Sequence, residues 1–467
     1  MSELPFPADP RPRRRLWAML SLAAALGLGL RIAAALGDYW LDEAWSAVFA
    51  RDSQGPGDVF FAINHDNNHF LNTLWLQLVG WGSPPLLGRA LSIACGTAGI
   101  VVAGLIGARR GVPAAGLTAL LFAISPILVT YGSEARGYAP MLLALLCAIR
   151  IVDRELFGTP MRHAPILVGI AALIGLLAHI SMLFGIAALA GWVAIEQGRR
   201  LGLRGGLRAT AGLMGRAVVA VMAVLALVAA GAVASPDGFR MGSVTPFAWP
   251  PFVDALDHMI AWTVGWPPLL IGPWLLLPLA LPWIVRRRPP FAERAPFLLL
   301  AILGLPLLVI VVEADNSAFP RYYLLGGVGL LLLIADMAAM GGRISRMLFA
   351  WVTIGSLVLD AGLIANRRGD PGAAVDAIVE RAPEGADVIL EASRDSAVLE
   401  AAAARRGYPL TATGSCRDAR FFYMADNGTQ PFPLAALRCG RAFQPVAGRD
   451  VQGLSGEAWQ LYERVPR

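Results

Sequence analysis

Residues 16–46 read LWAMLSLAAALGLGLRIAAALGDYWLDEAWS, an apolar run that ends abruptly in an acidic and aromatic stretch. About 20 apolar residues cross the hydrocarbon core of a bilayer as a helix, so the run 16–36 has the length of one span. Arg11, Arg13, Arg14 and Arg15 precede it and Arg31 interrupts it. No small-residue cleavage site precedes the polar stretch, so the run reads as a retained helix with its N-terminal side cytoplasmic.

The rest of the chain agrees with a bilayer setting. Of 467 residues, 56% are hydrophobic and 15% charged, and the mean hydropathy is +0.59. That composition excludes an ordinary water-soluble fold. The formal charge of +6 comes with 39 basic residues, all arginine, whose placement matters more than their sum. Clusters at 109–110, 150–162, 199–216, 286–294 and 343–346 punctuate the apolar runs and mark cytoplasmic loops, so nucleic acid is not an expected partner.

Counting runs between those clusters predicts an all-α polytopic bundle of about 11 transmembrane helices. They fall at 16–36, 86–108, 112–131, 138–151, two within 164–195 divided near His179, then 218–234, 267–285, 297–312, 322–337 and 348–364. Residues 37–85 form a first exterior loop in which the short apolar stretch 70–81 lies in the interface. The odd count places the tail outside. A transmembrane domain thus covers 1–365, and 366–467 reads as a small exterior α/β domain with helices at 373–381 and 393–406 and strands at 387–390, 421–424 and 458–462. Cys95 and Cys147 sit in apolar runs. Cys416 and Cys439 lie in the tail, where a disulfide and two reduced thiols are equally compatible with the sequence.

Polar groups with chemical potential gather at exterior helix ends. Asp42 and Glu43 form an acidic pair among Tyr39, Trp40 and Trp45; taken alone, such a pair is the start of a short helix. His65 and His69, spaced i and i+4, would share one helical face and hold a divalent cation, or hydrogen-bond a sugar or headgroup. Glu134, Arg136 and Tyr138 occupy a turn after Ser125-Pro126. Arg321 and Tyr322 open a later run at Pro320. Exterior arginines run against the positive-inside trend, and an anionic partner accounts for them.

With these motifs in view, the chain resembles the C-type glycosyltransferases of the protein-mannosyltransferase and aminoarabinose-transferase superfamily, which use polyprenyl-phosphate-linked sugars. Asp42-Glu43 is similar to that family's acidic motif in the first exterior loop. The stretch from Ser125-Pro126 through Glu134-Ala135-Arg136-Gly137-Tyr138 is similar to its third-helix exit, and Pro320-Arg321-Tyr322-Tyr323 to its late segment. The resemblance covers residues 16 to about 365. The chain departs from it after the acidic pair, where Asn68-His69-Phe70-Leu71-Asn72 replaces a His-Pro-Pro-Leu-Tyr-like string.

What the resemblance implies is transfer of a sugar from a polyprenyl-phosphate donor to an acceptor hydroxyl with inversion. Asp42 would be the catalytic base and Glu43 would orient the acceptor or a cation. Arg136 and Arg321 would bind the donor phosphate, and Glu134, Tyr138, His65, His69 and Tyr322 would line the substrate site. No cofactor is required; a divalent metal cation, with Glu43, His65 and His69 as candidate ligands, is the one considered. The partners are the lipid-linked donor, a lipid, polysaccharide or protein acceptor, and membrane lipids. Arginine without lysine, with abundant Ala and Gly, suggests a GC-rich bacterial genome, hence a bacterial inner membrane with a periplasmic active face. Two other classes fit a polytopic chain: a lipid or glycan transporter or flippase, which would carry its ionisable groups near the midplane, and an O-antigen ligase-like enzyme, with its chemistry in a large later loop.

Overall fold

The computed structural model describes residues 10–235, 238–242, 244–266, 293–413, 419–426 and 431–465. It is a helical bundle followed by a small mixed sheet. Among the described residues, six helices are long and apolar enough to cross a membrane: Arg11–Ala34, Ala90–Arg110, Met182–Ala234, Ala295–Val312, Pro320–Ala339 and Arg343–Gly369.

This corrects the expectation of about 11 spans, and the causes are local. Val112–Ile124 has 13 residues and stops at Ser125, whose ψ of 120° is the extended geometry that a following proline imposes. Ala164–Ala178 has only 15 residues. The helix Tyr138–Phe157 is 20 residues long but carries Arg150, Asp153, Arg154 and Glu155 in its second half. Met182–Ala234, 53 residues long, is two helices that meet at a kink at Gly202, whose φ of 68° and ψ of 172° are not helical. The arginine-rich stretch 199–216, read as a loop, holds that kink at Gly202 and is helical on either side of it. The span expected at 267–285 lies outside the described residues.

The bundle packs around Phe122, Leu145, Trp192, Phe297 and Leu331, all buried. Leu22, Val219, Val233, Val311 and Ile344 point outward, the apolar exterior that lipid tails would cover. At one end, Arg294 is buried between Asp153 (3.0 Å) and Asp336 (3.8 Å), and Arg109 reaches Asp153 (3.1 Å) and Glu293 (3.1 Å). The other end carries the long first loop and the C-terminal region.

That region is a six-stranded sheet in the order β2-β1-β3-β6-β5-β4, with β1 Ala386–Leu390, β2 Leu410–Thr413, β3 Phe421–Asp426, β4 Ala436–Arg438, β5 Arg441–Arg449 and β6 Ala458–Arg464. β1 is parallel to β2 and β3, and the remaining pairs are antiparallel. Helices Ala373–Arg381 and Ser396–Arg406 cover it, burying Val375, Ile378 and Leu399 against Val388, Phe421 and Leu461. Cys416 lies outside the described residues, and the suggested bond to Cys439 with it.

Two helices aim the acidic pair. Helix α1 is Pro10–Ala34, and helix α2 is Leu41–Asp52. Gly37 turns the chain between them at φ +100°, and a side chain there would press on Asp370 at 3.1 Å. Asp42 and Glu43 fall in the first turn of α2, where the helix dipole favours negative charge.

Candidate active site

Asp42 is 22% exposed and meets two guanidinium groups. Its Oδ2 accepts from Arg136 Nη1 and from Arg321 Nη1, the latter at 3.1 Å. Asn67 joins them, accepting from Arg136 Nη2 at 2.7 Å and donating to the Asp42 main-chain oxygen at 2.9 Å. Residues 42, 67, 136 and 321 thus share one cluster. Burial pushes the Asp42 carboxyl up, but Arg136 and Arg321 outweigh burial and hold it below its ordinary range. Aromatic faces support both cations: Arg136 lies 5.2 Å from the Tyr138 ring centre, and Arg321 lies 4.5 Å from Phe319 and 5.7 Å from Tyr322. The Nε atoms of Arg136 and Arg321 have no hydrogen-bond partner.

Glu43 faces away from that cluster into a fully buried brace. Arg89 donates to Oε1 at 2.8 Å and to Oε2 at 2.6 Å, and Ala135 N donates to Oε1 at 2.7 Å. The remaining Arg89 donors hold the carbonyls of Ala35, Gly37 and Asp38, each at 2.8 Å. Burial raises the Glu43 pKa, and Arg89 more than reverses it. Arg89 therefore ties the start of α2 to the end of α1, and Glu43 ties it to the 132–137 turn.

That turn, expected at the surface, is buried throughout. Side chains satisfy its backbone: Asn72 Nδ2 donates to Ala135 O at 2.6 Å, Ser92 Oγ to Arg136 O at 3.0 Å, and Gly137 N to His69 Nδ1 at 2.8 Å. Glu134 is fully buried, takes a hydrogen bond from Ser455 Oγ of the C-terminal region, and lies 3.6 Å from Arg368 Nε. Burial raises its pKa despite Arg368.

His65 and His69 do not share a helix face. His65 forms a β-bridge with Arg240 and pairs with Asp66 at 2.8 Å, while His69 stands immediately before the helix Phe70–Val79. His69 packs instead with Tyr138 (5.6 Å) and His179 (4.6 Å), and His179 lies 4.4 Å from Tyr138. Burial, then Arg136 and Arg321, push His179 down to about 3, and His69 falls well below its usual value. Both imidazoles are neutral at physiological pH. Glu43, His65 and His69 do not form a ligand set: among the described residues no three His, Cys, Asp or Glu gather to hold a metal ion.

Sequence reading missed Arg89, Asn67, Arg368 and Ser455, and left His179 without a role. Arg89 carried a signal, being the one charge in the apolar stretch 84–108, at the same bundle end as Arg136 and Arg321. Ser455 carried none.

No protein-family model matches the chain, and no curated protein matches it in sequence. Solved structures do resemble it. The oligosaccharyltransferase of Archaeoglobus fulgidus in its apo form superposes with a TM-score of 0.47 at 13% identity, over 85% of this chain and 64% of that one, so the chain spans less than two thirds of its length. ArnT from Cupriavidus metallidurans in the apo state superposes with a TM-score of 0.53 at 13% identity, over 94% of this chain and 97% of that one. At that identity the likeness is one of fold, and it runs nearly end to end: helical bundle, long first loop and C-terminal region together share the architecture of ArnT.

Proposed function

We propose that the protein is a membrane glycosyltransferase that moves a sugar from a polyprenyl-phosphate-linked donor to an acceptor hydroxyl on the periplasmic face of a bacterial inner membrane. The observation that carries this reading is the pairing of Asp42 with Arg136 and Arg321 at the loop end of the bundle. The fold shared with ArnT supports it.

The acceptor oxygen attacks the anomeric carbon, and the bond from that carbon to the phosphate oxygen breaks. The proton of the acceptor passes to Asp42. The electron pair of the broken bond leaves on the lipid phosphate, whose charge grows as it becomes a monoester, and the planar forks of Arg136 and Arg321 bind phosphate oxygens in pairs of hydrogen bonds. Without donor, Nη1 of each fork is held by Asp42. When phosphate takes them, Asp42 loses the cations that depress its basicity and becomes a better base at the moment a base is needed. Glu43 acts through Arg89 as a positioning residue that fixes the direction of α2. A transporter would concentrate ionisable groups near the midplane, whereas Asp42, Arg136 and Arg321 sit at helix ends.

Mass spectrometry of envelope glycans and lipids tests the reading. Cells without the protein should lack one sugar on one envelope component and accumulate the matching polyprenyl-phosphate sugar. Unchanged pools of both would exclude it.

A further inference from the structure

The C-terminal region holds a group of buried oxygen atoms that the transfer chemistry does not use. Asp395 follows β1 and stands immediately before the helix Ser396–Arg406, where an aspartate ordinarily caps. Its side chain makes no such bond. Both its carboxylate oxygens are buried without a hydrogen-bond partner, and the nearest cation, Arg394, lies 3.7 Å away with its own side chain more than half exposed. Glu457, immediately before β6, is 4% exposed, and its Oε1 has no partner. Tyr423 in β3 is fully buried, and its hydroxyl is also unpartnered.

Strand order brings the three together. β3 lies between β1, with which it is parallel, and β6, with which it is antiparallel. Asp426 at the end of β3 pairs with Ala458 at the start of β6, so the residue after β1 and the residue before β6 share one edge of the sheet. The groups feel one another electrostatically. Burial, then Glu457 and Asp395, push the Tyr423 hydroxyl well up. Burial, then Asp395, raise Glu457 to about 8, with Arg394 opposing and Asp42 adding to the effect. Burial raises Asp395 to about 6 against Arg394.

Buried polar atoms without partners are rare in native proteins, and an unplaced water or ion is a common reason. The unpartnered atoms of these three groups are all oxygens, and two of the groups are carboxylates, which is the donor chemistry of a hard divalent cation. We propose that Asp395, Glu457 and Tyr423 form a calcium- or magnesium-class site between the sheet and α2. The cation neutralises two carboxylates that otherwise repel each other, one of which also feels Asp42. Next to the site, Trp45 Nε1 donates to Arg394 O at 3.0 Å, so an occupied site secures the C-terminal region against α2.

Calorimetry on the full-length, chelator-treated protein in detergent, titrated separately with Ca²⁺ and Mg²⁺, tests this beside thermal unfolding with and without each ion. One saturable ion per chain, a higher melting temperature with that ion, and at least 10-fold weaker binding in D395N and in E457Q are the expected results. Absence of saturable binding to wild type overturns the proposal whether or not either variant folds. So does undiminished binding in both variants. An ion-independent melting temperature, with E457Q at least as stable as wild type, would instead make the cluster a protonated acid pair.

Discussion

Arg321 reaches across 279 residues of sequence to place Nη1 3.1 Å from Oδ2 of Asp42, an oxygen that Arg136 also binds. A carboxylate so held is ionised and a weak base, and the cations that hold it are those a phosphate would claim. On the proposed mechanism the ion cluster would have a second state, in which the arginines turn from Asp42 to the phosphate.

This exchange has a pH signature. Asp42 lies below its ordinary range in the free protein because Arg136 and Arg321 outweigh burial, so the acid limb of kcat/KM should fall below about pH 4, the usual aspartate range. If phosphate engages the arginines in the donor complex, the acid limb of kcat should move to higher pH. His69 and His179 stay neutral, so neither adds a limb between pH 5 and 8. Steady-state rates from pH 3.5 to 8 decide the matter; coincident acid limbs for kcat and kcat/KM would refute the exchange.

R136K and R321K keep the charge and lose the fork. Each should lower kcat by about 10²–10³-fold, the cost typical of losing one preorganised donor to a developing anion. Their thermal stability should stay near that of wild type, since Lys still pairs with Asp42. Rates within a factor of two of wild type would remove the donor phosphate from this cluster.

Arg89 and Glu43 predict a stability effect instead. Removing one partner of a buried ion pair leaves an uncompensated charge, a loss of about 3–5 kcal/mol. R89M and E43L should each melt far below wild type, and the double substitution should recover part of the loss. Additive losses on thermal unfolding would show that the two side chains act separately.

Much of this arrangement was legible because a membrane chain places few charges, and each charge at an apolar boundary needs a reason. Asp42, Arg136 and Arg321 stood out in that way, and they converge. The partner of Glu43 was not legible, since Arg89 is 46 residues away and comes near through the packing of the helix Ala90–Gly107 against α1. The burial of the 132–137 turn was hidden too, because it depends on Glu43, Asn72, Ser92 and Ser455 arriving from other segments. His65 and His69 suggested a helix by spacing alone, but Asn68 Nδ2 binds the carbonyls of Val59 (2.7 Å) and Ile63 (2.8 Å) and holds the loop open. The helix count failed because charge clusters mark sides, not lengths: Pro126 cuts one apolar run short, and around the 199–216 arginines only the kink at Gly202 separates two helices.

Asp42→Asn tests the central claim most directly. Purified wild type and D42N, reconstituted in lipid with polyprenyl-phosphate sugars extracted from the source membranes and their acceptor fraction, are compared by mass spectrometry for transfer. The amide retains shape and a hydrogen-bond acceptor for Arg136 and Arg321 but cannot take a proton. The proposed role of Asp42 predicts an inserted, folded D42N protein that still binds donor and transfers at least about 10²-fold more slowly. Transfer at the wild-type rate would contradict it.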